Sequence, residues 1–175
     1  MSANEFAFWR FSLRFYRRPE VAPICLTLQD HYGVDVNVLL FLLFLSLAQR
    51  RLAPADVHRI DHATAAWRAR AVQPLRALRR DLKNGVASMD AHATEALRAE
   101  IKRCELHAER LQQEMLERAF PAATTGVASA VQDAAAANIA AYGAVIGTLP
   151  DGPVRRLLEL FGKEFGAGTT ARRMR

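Results

Sequence analysis

Val34-Asp35-Val36-Asn37-Val38-Leu39-Leu40-Phe41-Leu42-Leu43-Phe44-Leu45 is the stretch whose reading decides the fold. Asp35 can accept hydrogen bonds from the free N–H groups of a helix's first turn, and Val34 and Leu39 stand where a hydrophobic staple needs them. From Val38 to Leu45 every position is apolar. A helix apolar on all sides is surrounded by other helices or by lipid. Eight residues fall far short of the roughly 20 that cross a bilayer. The stretch therefore predicts a central helix with the rest of the chain wrapped around it. Arg50 and Arg51 follow at its electronegative end.

Towards the N-terminus, Ser2 and Glu5 have capping-box spacing, with Asn4 as an alternative cap. The helix they open carries Trp9, Leu13 and Tyr16 on one face, flanked by Phe8, Phe11 and Phe15. Core burial is the reading of these aromatics and a binding groove the alternative. Pro19 can open a second helix, in which Val21, Cys25, Leu28 and Tyr32 form one stripe. Gly33 can end it in the left-handed conformation.

Towards the C-terminus, Pro54 opens a short helix through Val57 and Ile60. The segment from Trp67 to Lys83 is helical in pattern, but Pro74 must kink or divide it. Asn84-Gly85 makes a turn. The longest helix runs over about 90–119, with Leu97, Ile101, Cys104, Ala108, Leu111 and Met115 in heptad spacing. The expectation is a hairpin arm packed on the domain. After a linker from Pro121 to Gly126 comes an alanine-rich helix within 127–149. There Gly143 and Gly147 permit close packing. A break at Pro150-Asp151-Gly152-Pro153 precedes a last helix with Val154, Leu157, Leu158, Phe161 and Phe165 on one face. That face either closes the domain's own core or docks into a partner groove. No strand and no internal repeat are legible. The fold class is all-α: a single-domain bundle of about six to seven helices over 1–165, with 166–175 a disordered basic tail.

The chain has 175 residues, of which half are apolar and a quarter charged, the profile of one globular domain. Two cysteines, Cys25 and Cys104, are too few for a disulfide framework and read as small buried hydrophobes. Arg10 and Arg14 interrupt the N-terminal apolar stretch, which argues against a signal peptide. The run from Ala134 to Leu149 is mostly alanine and carries Asn138 and Tyr142. The expectation is a cytoplasmic protein without a transmembrane segment. The net charge of +6 is uneven: 13 basic and 8 acidic residues through Asp90, then 11 and 10. Such a bias suits an anionic partner without naming one.

The motifs Phe8-Trp9-Arg10-Phe11-Ser12-Leu13, Cys25-Leu26-Thr27-Leu28-Gln29-Asp30 and Gly33-Val34-Asp35-Val36-Asn37-Val38-Leu39-Leu40-Phe41, followed by Trp67 and the Leu75–Lys83 segment, resemble an uncharacterised family of short proteobacterial proteins. The resemblance covers residues 6–84, with a variable helical half over 90–165. It implies a helical protein of the bacterial cytosol and brings no catalytic residues.

Arg76, Arg79, Arg80 and Lys83 share one helical face, opposite Leu75, Leu78 and Leu82. They are the candidate binding residues, with Arg68 and Arg70 upstream and a second stripe of Arg10, Arg14, Arg17 and Arg18. Internal carboxylates such as Asp30, Asp35, Asp81 or the glutamates of the long helix can neutralise them; otherwise they face an acidic protein, a phosphate, nucleic acid or a membrane surface. His58, Asp61 and His62 lie on one face at metal-ligand spacing, yet without a catalytic glutamate or a cysteine pair. No phosphate loop, nucleophile elbow or kinase motif is present, and no cofactor is implied. Asp30, His31 and Asp35 are the weak catalytic candidates, beside the greasy helix. The first reading is thus a helical protein-interaction module using its basic face. A small enzyme or ligand-binding protein with a pocket near Gln29–Asn37 is the alternative, and non-specific nucleic-acid or anion binding a further one.

Overall fold

The computed structural model describes residues 6–166. The capping pair Ser2–Glu5 and the tail after Gly166 lie outside the described residues. Helix α3 (Val36–Leu47) occupies the centre, with Val38 to Leu43 and Leu45 buried. Asp35 caps it: one carboxylate oxygen accepts from the Asn37 and Val38 N–H groups at 2.9 and 3.3 Å. Val34 and Leu39 are both buried, as a staple requires.

Helix α1 (Ala7–Tyr16) lays Phe8, Phe11 and Phe15 into the core. The last helix, α8 (Asp151–Phe165), meets them with Phe161 and Phe165, ring centroids 5.1 Å apart for Phe11–Phe165 and 6.1 Å for Phe15–Phe161. Its apolar face therefore closes the protein's own core. On the rim, Arg14 and Arg18 both reach Glu164. Helix α2 (Val21–Tyr32) buries Val21, Cys25 and Leu28 but leaves Tyr32 outside. It begins two residues after Pro19, which lies in the preceding turn, and it ends at Gly33 with φ 65°.

Helix α4 (Pro54–Trp67), a π-turn over Arg68–Val72 and helix α5 (Gln73–Asp81) form one rod. Pro74 neither breaks it nor ends it. The i→i+5 turn, with Gln73 N–H reaching the Arg68 carbonyl, absorbs the missing donor just before the proline. Counting that rod once gives seven helical bodies among the described residues.

Helix α6 (Ala91–Ala119) starts at Asp90, whose carboxylate accepts from Ala93 N–H at 2.8 Å. Only part of the heptad seam belongs to its buried face. Leu97 and Leu111 are 50% and 41% exposed, and Cys104 is exposed. Ile101 and Ala108 of the seam turn inward, joined by Glu105, Gln112, Gln113 and Leu116. Three of these are polar, and hydrogen bonds offset their burial. Nor is α6 an arm. It packs on α5 and then runs beneath α1, α3 and α4, and Glu117 accepts the Ala7 and Phe8 N–H groups at 3.1 and 2.9 Å.

Helix α7 (Val131–Ile146) packs on α3 through Ala135, Ile139 and Tyr142. Gly143 lies against the Leu149 side chain, and Gly147 ends the helix at φ 100°. Two short strands, unforeseen in the sequence, join the ends of α3 and α6. β1 (Arg50–Arg51) pairs antiparallel with β2 (Val127–Ala128). The Arg50 side chain donates to the Ala122 carbonyl at 2.9 Å, fastening the linker rather than the end of α3. Asn138, fully buried, accepts from Leu52 N–H and donates to the Ser46 hydroxyl and the Arg50 carbonyl.

Two substitutions test this architecture by urea unfolding. Phe161→Ala removes a ring from the junction of the first and last helices and is expected to cost about 3–5 kcal/mol. Gly126→Ala places a methyl 2.5 Å from the Arg51 carbonyl oxygen at a backbone φ of 73°. It is expected to cost about 2 kcal/mol through strain alone. Wild-type stability in either variant would contradict the packing described.

Candidate functional site

A phase argument explains which side chains α5 presents. On a straight α-helix, residues eight apart are rotated by about 80°, and a π-turn sets the phase back by roughly one residue, about 100°. The turn at 68–72 therefore brings Arg68 and Arg76 to nearly the same side, towards α3 and α6. Arg68 donates to Asp35 at 2.8 Å and to Asp61 at 3.0 Å. Arg76 donates to Glu105 at 3.0 Å and to Glu109 at 2.6 Å. Arg79 forks onto Glu105.

A polar chain runs from the first of these pairs through the protein. The second oxygen of Asp35 accepts from Gln112 Nε2 at 2.7 Å, and Asn37 Nδ2 donates to Gln112 at 3.3 Å. Gln113 donates to Asn37 Oδ1 at 2.8 Å and accepts from the Ser12 hydroxyl at 3.0 Å. No buried side-chain polar atom is left without a partner among the described residues.

Against this polar chain opens a cleft of about 340 Å³ between α1, α2 and α6. Its apolar walls are Trp9, Leu13 and Tyr16 from α1, Leu26 from α2, Leu40 from α3 and Leu106 from α6. Leu13, Leu26 and Leu106 are 43%, 52% and 53% exposed, unusual for leucines set around one opening. The polar lining comes from Ser12, Gln29, Asn37, Arg76, Glu105, Glu109 and Gln113, with Lys102 also at the wall. Helix α1 is thus divided lengthwise: its phenylalanines build the core, while Trp9, Leu13 and Tyr16 face the cleft.

The two glutamates differ although one helical turn separates them. Burial alone would raise the Glu105 carboxyl, but the hydrogen-bonded guanidinium groups of Arg79 and Arg76 hold it below the ordinary value. Burial raises Glu109, and repulsion from Glu105 and Asp35 adds to this, against the pull of Arg76. Cys25, beneath the cleft beside Tyr16, is pushed up to about 11 by burial and stays a thiol.

The residues singled out in the sequence are distributed differently. Arg76, Arg79 and Arg80 are each engaged by carboxylates, Arg80 by Asp30, while Lys83 is exposed. Asp35 lines the cleft as a helix cap; Asp30 and His31 lie on the outer side of α2. His58 and His62 stack at 6.2 Å, and Asp61 belongs to Arg68. No cluster of three or more His, Cys, Asp or Glu side chains placed to hold a metal occurs among the described residues. Nor is any described helix long and apolar enough to cross a membrane.

A family model described as a protein of unknown function, DUF2390, matches residues 7–116. The chain belongs to the DUF2390 family. The match reaches past residue 84, where the sequence resemblance stopped, to the inner face of α6. It therefore takes in every cleft-lining residue from Trp9 to Gln113, and the DUF2390 segment ends just before Glu117, α7 and α8. No curated protein and no solved structure matches the chain.

The opposed shifts give opposite pH signs. A carboxyl lowered by folding stabilises above its unfolded value, and that stability is lost as pH falls through the folded one. A raised carboxyl stabilises at low pH and loses that contribution as pH rises through its folded value. Glu105→Gln is expected to cost about 2 kcal/mol at pH 7, since it strands two half-buried arginines, with the deficit shrinking in acid. Glu109→Gln should leave stability at pH 7 unchanged or slightly raised. Urea midpoints of both variants at neutral and acid pH check the pair.

Proposed function

We propose that the protein is a small-molecule-binding protein whose site is the cleft between α1, α2 and α6. The observation that carries this reading is the cleft itself: exposed leucines and two aromatic rings converge on a fixed polar wall, in a volume typical of ligand sites. The ligand has an apolar body long enough to lie along Leu13, Leu26 and Leu106, and a polar head that meets α6. Catalysis by Glu109 is compatible with this geometry, but binding is what the walls support.

The basic-face reading loses weight because Arg76, Arg79 and Arg80 already have carboxylate partners. An anionic partner or nucleic acid would have to displace them. Protein interaction retains one separate support, the exposed Leu78, Val86, Met89 and Leu97 around the α5–α6 turn. With Arg76, Arg79 and Arg80 engaged, an uncharged or cationic ligand is favoured over nucleic acid.

Titration with the uncharged fluorophore N-phenyl-1-naphthylamine tests the site. Bound dye is expected to shift the Trp9 indole resonance in ¹H–¹⁵N spectra and leave that of Trp67 in place. Leu106→Arg, an exposed position on the rim, is expected to weaken binding at least tenfold without altering the melting temperature. Equal binding by both forms would sink the reading.

A further inference from the structure

We propose that the polar end of the cleft recognises a protonated amine carried on an apolar or aromatic body, with Glu109 as its counter-ion. This rests on the cleft being a ligand site and specifies the head group that the site accepts.

The hydrogen-bond inventory points to that head group. Glu109 accepts one bond from Arg76 through Oε1, and its other oxygen takes no protein donor among the described residues. The two arginines beside Glu109 are already committed. Arg76 is divided between Glu105 and Glu109, and Arg79 is spent on Glu105. Beside Glu109, a carboxylate or phosphate would need to break one of these pairs, whereas an ammonium adds a bond and breaks none. Lys102 lies seven residues from Glu109 on the same helix, about 10 Å along its axis, and is exposed.

The aromatic wall fits the same chemistry. Trp9 and Tyr16 present ring surface to the cleft, and the face of an indole or phenol attracts cations. Trp9 already takes one, the Arg110 guanidinium, 5.7 Å from its ring centroid. The charges facing Glu109 come from its own helix as Glu105, from α5 as Arg76 and Arg79, and from the α3 cap as Asp35, with Tyr16 across the cleft. Glu105 and Asp35 repel the Glu109 charge, and burial adds to the cost of keeping it ionised. An ammonium beside the free oxygen relieves both.

Three probes with one body and three heads test this: 4-phenylbutylamine, 4-phenylbutanol and 4-phenylbutyrate, followed by the Trp9 indole resonance of the full chain. The amine is expected to bind at least tenfold more tightly than the alcohol at pH 7.5. Its advantage should fade as pH falls and Glu109 takes up a proton. Glu109→Gln, its fold checked by melting, should reduce the amine to the affinity of the alcohol, and Glu109→Asp should recover part of the difference. Equal affinities for amine and alcohol, tightest binding by the carboxylate, or an amine advantage that survives Glu109→Gln would each overturn the head-group assignment while leaving the cleft as a binding site. If none of the three moves the Trp9 resonance, the cleft reading falls and this one with it.

Discussion

A carboxylate withdrawn from water must be surrounded by donors, and Asp35 obtains its donors from the elements it joins. Two backbone N–H groups come from α3, a guanidinium from the π-turn and an amide from α6. The Tyr142 hydroxyl on α7 accepts the backbone N–H of the same residue. A buried carboxylate short of partners is costly enough to move an element. The positions of α3, the α4–α5 rod, α6 and α7 are therefore mutually constrained at this point. The central apolar helix provides the bulk of the hydrophobic burial but little direction, because leucines pack in many ways. The Asp35 carboxylate contributes the geometry.

The same constraint explains why a cleft stands open beside a well-packed core. Gln112 and Gln113 are held facing Asn37 and Asp35, so α6 presents amides where an apolar helix would press against α1. The phenylalanines of α1 are consumed by α3 and α8 on the other side. Trp9, Leu13 and Tyr16 are then left facing a wall that is polar and already hydrogen-bonded. Water or ligand is what remains to cover them. The fold and the site are thus one arrangement seen from the two sides of α1.

The parts legible in the sequence were those decided by neighbours along the chain. Asp35 as a cap, Gly33 as a left-handed stop, and Val38–Leu45 as the buried centre all depend on a few adjacent residues. Neutralisation of the arginines by Asp30 and by the glutamates of the long helix was also foreseeable from charge alone. The polar part of the buried face of α6 was not. A heptad of Leu97, Cys104 and Leu111 outscores Glu105, Gln112 and Gln113 on hydropathy, and only hydrogen bonds to residues about 30 to 100 positions away reverse the choice. The cleft was hidden for the same reason, since its walls run from Trp9 to Gln113. Glu109 carried no local signal, although its place one turn after Glu105, facing a helix with two cations one turn apart, is a pattern that could have drawn attention.

The N-terminus of α1 has no side-chain cap of its own and borrows the carboxylate of Glu117, while its phenylalanines lean on Phe161 and Phe165. During synthesis on the ribosome, α1 is made well before Glu117 and the phenylalanines of α8. At roughly 5–20 residues per second, it spends on the order of ten seconds as an exposed amphipathic segment. Its three buried rings are then available to chaperones and to other nascent chains. Only when α8 has left the exit tunnel can it close on α1, so this part of the native structure arrives late, set by the order in which the residues are made.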